Sequence, residues 1–165
     1  MSPEDQILYQ LSENVGRTLS ARGLMLATAE SCTGGWVGQV MTMIPGSSEW
    51  YERGFVTYTY LSKMEMLGVS SATLEAFGAV SEQTAGEMAR GALERSRAQV
   101  ALSITGVAGP GGGTPDKPVG TVCFGWSFLD GRNLSETVCF PGDRDAVRRQ
   151  SVHHTLTRLL AQLLA

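Results

Sequence analysis

Apolar positions along this chain alternate between helical and strand periods. Ile7, Leu8, Leu11, Val15 and Leu19 have the spacing of an amphipathic helix, entered through Ser2-Pro3-Glu4-Asp5 and stopped by Gly23. An apolar strand over 24–29 follows directly. Trp36, Val37, Val40 and Ile44 return to helical spacing, and Pro45-Gly46-Ser47-Ser48 is a loop. Phe55-Val56-Thr57-Tyr58-Thr59-Tyr60, rich in aromatic and β-branched residues, reads as a second strand. Two short helical segments, 62–67 and 70–77, are closed by Gly68 and Gly78. Ser81 is the expected N-cap of the next helix, whose Ala85, Met88, Ala89 and Ala92 make a face suited to close packing. The run 100–104 is almost wholly apolar, as a central strand should be. Segments 119–128 and 134–140 read as a hairpin turning at Asp130-Gly131. The last helix begins near Asp143 and buries Val147, Val152, Leu156, Leu159, Leu160 and Leu163.

Helices alternate with strands early and a hairpin comes late. That order predicts an α/β fold, a three-layer α/β/α sandwich around a mixed, mostly parallel sheet of about five strands. No internal repeat, heptad run or linker divides the chain, so residues 1–165 are expected to form a single domain.

Composition narrows the function. An apolar share of 42% and a charged share of 18% describe a soluble globular protein. A net charge of -3 and a pI near 5.4 argue against broad binding to nucleic acid or acidic membranes. No apolar run approaches the roughly 20 residues of a membrane span, and the N-terminus lacks signal-peptide features. Cys32, Cys123 and Cys139 form no CxxC pair, which makes a reducing cytoplasm the expected compartment. No HExxH or comparable ligand spacing is present, so no metal is expected.

Candidate chemistry concentrates in Ala27-Thr28-Ala29-Glu30-Ser31-Cys32-Thr33-Gly34-Gly35, where a strand passes through hydroxyl and glycine residues into a helix. Such a turn offers backbone N–H groups at a helix N-terminus, and Gly34 and Gly35 admit close approach. An ordinary N-cap by Ser31 or Thr33 accounts for the same residues. Ser31 needs a base to act as a nucleophile. His153 and His154 sit in the last helix and read as surface or packing residues. A desolvated lysine can serve instead, and the only lysines are Lys63 and Lys117. Lys63 follows the second strand, with Tyr58 and Tyr60 available as aromatic cover; its alternative is a solvated helical lysine. Lys117 lies in the glycine-rich loop. That loop, which begins at Thr105-Gly106, matches neither GxxxxGK[ST] nor GxGxxG, yet can contact a ligand through backbone N–H groups. Arg144 and Arg148 share a helix face at i,i+4 and suit a phosphate or carboxylate; pairing of Arg144 or Arg148 with Asp145 is the competing reading.

These segments together resemble the CinA C-terminal domain family, especially its stand-alone bacterial members, the nicotinamide-nucleotide amidases. The resemblance runs through Ala29-Glu30-Ser31-Cys32-Thr33-Gly34-Gly35, the near match Pro45-Gly46-Ser47-Ser48, and Arg53-Gly54-Phe55-Val56-Thr57-Tyr58. It continues through Gly78-Ala79-Val80-Ser81, Ser103-Ile104-Thr105-Gly106-Val107-Ala108-Gly109-Pro110, Lys117-Pro118-Val119-Gly120-Thr121-Val122 and Gly142-Asp143-Arg144. It implies hydrolysis of the carboxamide of nicotinamide mononucleotide to nicotinic acid mononucleotide and ammonia, without metal or organic cofactor, by a homo-oligomer. Ser31 would be the nucleophile, Lys63 its base and later acid, and Tyr58 their orienting partner. Cys32, Thr33 and Gly34 would supply oxyanion donors, with Thr105, Gly106, Arg144 and Arg148 among the substrate contacts. One departure stands out. Active relatives carry Asn where this chain has Tyr60, which admits an alternative: an inactive paralogue that binds a pyridine nucleotide.

Overall fold

In the computed structural model, which describes residues 1–165, alternate side chains of each central strand meet two different helical layers. The elements in chain order are α1 (Pro3–Ala21), β1 (Leu26–Glu30), α2 (Trp36–Met41), a 3₁₀ turn at Ser47–Glu49 and β2 (Tyr51–Val56). Then come α3 (Tyr60–Leu67), α4 (Ser71–Phe77), α5 (Glu82–Glu94), β3 (Val100–Gly106), β4 (Thr121–Phe128), β5 (Asn133–Cys139) and α6 (Arg144–Leu164). The strands form one sheet in the order β2-β1-β3-β4-β5. The first three run parallel, while β4 and β5 are antiparallel additions, giving the mixed α/β/α sandwich the patterning predicts.

Leu26, Val100, Leu102, Ile104, Val122, Phe124 and Trp126 project into one core, which α1, α2 and α6 close with Leu19, Val37 and Leu156 among others. The opposite face is built of small residues. Ala27, Ala29 and Ala101 meet Leu67, Leu74, Met88 and Ala92 from α3, α4 and α5. Small side chains here let α5 lie close to the sheet: Ser103 Oγ donates to the Ala85 carbonyl at 2.6 Å. Opposite Ser103 is Gly125, where a Cβ would come within 2.5 Å of that same carbonyl oxygen.

Most predicted elements stand where the periodicity puts them, down to the caps: Ser2, Ser70, Ser81 and Asp143 each accept from the third backbone N–H beyond. Several details differ. The second strand is Tyr51–Val56 rather than 55–60, because β2 is an edge strand and tolerates the charged Glu52 and Arg53 and the side-chain-free Gly54. It ends early because Thr59 and Ser62 form a reciprocal capping box that starts α3. Tyr58 therefore lies in a connector and Tyr60 opens a helix. The helix α2 stops at Met41, so Ile44 reaches the core from a loop, and Leu160 of α6 is only half-buried.

The connection β1-α2-β2 crosses one face, whereas β2-α3-α4-α5-β3 returns over the other. The chain thus diverges at the carboxyl ends of β1 and β3, the topological switch point where open α/β sheets bind ligands.

Two glycines of α5 test the close packing. A Cβ on Gly91 would lie 1.9 Å from the Leu67 carbonyl oxygen, whereas one on Gly86 would meet only the Arg90 side chain at 3.5 Å. Gly91→Ala should lower stability by about 1–3 kcal/mol despite its better helix propensity. Gly86→Ala should be neutral or stabilising by up to about 1 kcal/mol. Thermal unfolding of both variants checks this; equal shifts would contradict the packing.

Candidate active site

The turn after β1 is held from two sides. At the strand end, Glu30 is buried, and its carboxylate accepts from Thr33 Oγ1 at 2.6 Å, Val37 N–H at 2.9 Å and Gly38 N–H at 3.1 Å. This carboxylate, rather than Ser31 or Thr33, caps α2, because the N-cap position is Gly35 and carries no side chain. Gly34 and Gly35 have φ of 61° and 102°, the left-handed backbone that folds the turn back onto Glu30. The α2 N-terminus is therefore already satisfied by a carboxylate. From the other side Arg148 reaches in from α6, donating through Nε to the Cys32 carbonyl at 3.0 Å and through Nη2 to the Thr33 carbonyl at 3.3 Å. Its guanidinium also sits 5.3 Å from the Trp36 ring centroid.

Within this frame Ser31 N–H donates to the Ile104 carbonyl and Gly34 N–H to the Ser31 carbonyl, both at 3.0 Å. The N–H groups of Cys32 and Thr33 donate to no backbone carbonyl, and that of Cys32 bears on its own thiol, whose pKa it lowers against the effect of burial. These donors thus precede the helix instead of belonging to it.

Lys63 approaches from α3. Its Nζ lies 2.9 Å from Ser31 Oγ, 2.7 Å from the Thr57 carbonyl oxygen and 3.5 Å from that of Tyr58. Lys63 is 1% exposed and Ser31 7%, so the solvated-lysine reading is overturned. Burial is the largest influence on the amine and lowers its pKa to about 8; the neighbouring Cys32 pulls the other way. The rings expected to cover it, Tyr58 and Tyr60, are 60% and 53% exposed, and shielding comes instead from seating α3 against the strand ends. Burial likewise pushes the Cys32 thiol up to about 11, leaving it a poor thiolate beside a better-placed serine.

A cleft of about 250 Å³ opens beside Cys32, lined by Tyr58, Gly106, Ala108, Gly109, Gly112 and Arg144. Arg144 spans it, donating Nη2 to Tyr58 Oη at 3.0 Å and Nη1 to the Gly109 carbonyl at 2.7 Å. Thr105 is buried, with Oγ1 donating to the Ala79 carbonyl at 2.8 Å, and so braces the cleft wall. Gly106 admits no side chain, since a Cβ would meet Val122 at 2.8 Å. A larger depression of about 480 Å³ lies around Ser81, Glu82, Lys117 and Thr137; Ser31 and Lys63 line neither hollow, and only the smaller one reaches Cys32, the residue next to Ser31.

A family model for the CinA C-terminal domain matches residues 8–163. The chain belongs to the CinA C-terminal domain family. Its relatives include nicotinamide-nucleotide amidohydrolase PncC of Escherichia coli K12, 54% identical over 160 residues and 97% of each chain. PncC of Enterobacter agglomerans is 50% identical over 95% of this chain and 96% of that one. A CinA-like protein of Chloroherpeton thalassium is 47% identical over 93% of this chain but only 37% of its own length. The crystal structure of the competence/damage inducible protein CihA from Agrobacterium tumefaciens superposes with a TM-score of 0.94 at 44% identity, covering 100% of this chain and 99% of that one.

In this CinA domain the geometry separates candidates that sequence left together. Lys117 donates to the Phe77 carbonyl at 2.5 Å and ties down the glycine-rich loop, so Lys63 is the lysine at Ser31. His154 packs on Phe124 and Phe140 and lies 2.5 Å from a Glu136 oxygen, and neither histidine lines the cleft. Tyr60 Oη accepts from Ala79 N–H at 3.3 Å and is absent from the cleft lining. Glu30 is the residue that sequence reasoning undervalued. It stood inside the marked motif, but a carboxylate folding back on a helix seven residues ahead has no local pattern.

Glu30→Gln keeps one acceptor and turns an NH₂ group toward a donor. It should cost roughly 1–3 kcal/mol of stability, as expected for a buried donor left unsatisfied. Urea unfolding measures it; an unchanged midpoint would show that the carboxylate does not hold the turn.

Proposed function

We propose that this protein is a serine amidohydrolase that deamidates nicotinamide mononucleotide to nicotinic acid mononucleotide and ammonia. The observation that carries the reading is the buried Lys63 amine 2.9 Å from Ser31 Oγ, with its pKa lowered to about 8. The substrate is suggested by the name shared by relatives that align over 97% and 95% of this chain.

As an ammonium, Lys63 donates to Ser31 Oγ. Once deprotonated, it accepts the Ser31 proton as the oxygen attacks the carboxamide carbon. The developing oxyanion is taken up by the N–H groups of Cys32 and Thr33. Lys63 then returns the proton to the departing nitrogen, which leaves as ammonia and an acyl-serine. Water, deprotonated by the same amine, releases the acid and restores Ser31. In this reading Tyr58 and Arg144 receive the nucleotide. Arg144 has to exchange its Tyr58 and Gly109 bonds for substrate oxygens. Tyr60 faces Ala79 rather than the cleft, which favours turnover over a binding-only paralogue. The reading also takes the enzyme as a cytoplasmic homo-oligomer, on the family resemblance; no helix is long and apolar enough to cross a membrane.

The mechanism requires neutral Lys63. In the free enzyme kcat/KM should rise tenfold per pH unit below about pH 8 and level off above it, as the amine loses its proton. Lys63→Arg should lose roughly 10²–10⁴-fold in ammonia release, because guanidinium stays protonated, and Ser31→Ala at least as much, because it removes the nucleophile. Cys32→Ala should stay near normal. Turnover by folded Lys63→Arg, or loss confined to Cys32→Ala, would sink the Ser–Lys assignment.

A further inference from the structure

Two peptide units of the turn have an N–H that donates to no backbone carbonyl and a carbonyl that is held. In the Ser31–Cys32 unit the carbonyl accepts from Gly34 N–H. In the Cys32–Thr33 unit it accepts from Arg148 Nε at 3.0 Å. A trans peptide carries its N–H opposite its carbonyl, so fixing the oxygen fixes the direction of the hydrogen. Arg148 therefore aims the Thr33 N–H away from itself. The guanidinium charge also draws electron density toward the Cys32 oxygen, which strengthens the N–H at the other end of the same unit. The next carbonyl, of Thr33, is held by Nη2 of the same side chain. The guanidinium is half-buried over Trp36, and a Cβ on Gly34 would approach its Nη2 to 3.7 Å. Arg148 is not among the residues lining the cleft that Arg144 spans.

We infer that Arg148 is a positioning residue for the oxyanion site, acting through the Cys32–Thr33 peptide rather than on the nucleotide. The pair of arginines thus divides by role, although they share a helix face. Arg144 is available to the ligand at the cleft, and Arg148 charges the peptide behind the nucleophile. The inference rests on the amidase reading, and its test separates the two.

Wild type, Arg148→Ala and Arg148→Lys are compared by steady-state ammonia release from nicotinamide mononucleotide and by the rate at which a fluorophosphonate modifies Ser31, with thermal unfolding as the check on folding. Attack on phosphorus develops negative charge at an oxygen without using the nucleotide site. Arg148→Ala should lower kcat and the fluorophosphonate rate together, each about 10- to 100-fold, with KM changed less than about threefold. Arg148→Lys should recover only part, since one ammonium cannot hold both carbonyls in the same fork. A raised KM at unchanged kcat and labelling rate would make Arg148 a substrate contact and overturn the inference. So would equal kcat and labelling in all three proteins, or losses that only follow unfolding. A wild-type Ser31 that labels but releases no ammonia would overturn the amidase reading, and the labelling rates would still decide the role of Arg148. A wild-type Ser31 that does neither overturns both.

Discussion

Lys63 is buried beside a serine without a carboxylate to neutralise it, and the site's organisation follows from that. Its nearest oxygens are Ser31 Oγ and the carbonyls of Thr57 and Tyr58, all neutral. An ammonium in such surroundings is costly, so the group sheds its proton more readily than in water. A carboxylate in contact would stabilise the charge and remove the base. Backbone carbonyls can orient the amine while giving up less of this effect. Holding it there requires fixed neighbours. Thr57 N–H donates to the Glu30 carbonyl at 2.8 Å, Lys63 N–H donates to the Thr59 carbonyl at 3.1 Å, and the Thr59–Ser62 capping box pins the start of α3.

The charged groups of the neighbouring turn are arranged with opposite signs on opposite ends of its peptides. The Glu30 carboxylate collects N–H groups from α2, while the Arg148 guanidinium collects carbonyls from Cys32 and Thr33. Neither charge needs the ligand. Together they hold Ser31 at the carboxyl end of β1, against β3 and opposite α3. The small residues of the sheet face below, Ala27, Ala29 and Ala101, let the α3–α5 layer come near enough for a lysine to reach.

How much of this was legible in the sequence varies with the range of the interaction responsible. Local signals carried the helix caps, the sheet's composition and the glycine-marked turns, and the element order carried the α/β/α layers. The β2 boundary slipped because an edge strand can be polar, and because the capping box competes with the aromatic run for residues 59–62. Ser31 and both lysines were visible as chemistry. That Lys63 is buried and Lys117 holds a loop depended on where α3 and the 106–118 segment pack, across 32 and 40 residues of chain respectively. The i,i+4 spacing of Arg144 and Arg148 was right about a shared face and silent about what each would meet. Their partners lie 86 and 116 residues away.

The proposed chemistry turns on the protonation of a single amine, and the chain makes that amine observable. Lys63 and Lys117 are its only lysines, so protein labelled with ¹³C at lysine Cε should show two side-chain resonances, assigned by Lys117→Arg. Following them from pH 6 to 11 reads each pKa without a substrate. The Lys63 resonance should titrate near pH 8. Titration near the reference value of about 10.4 would contradict that chemistry, because Ser31 would then face an ammonium throughout the neutral range.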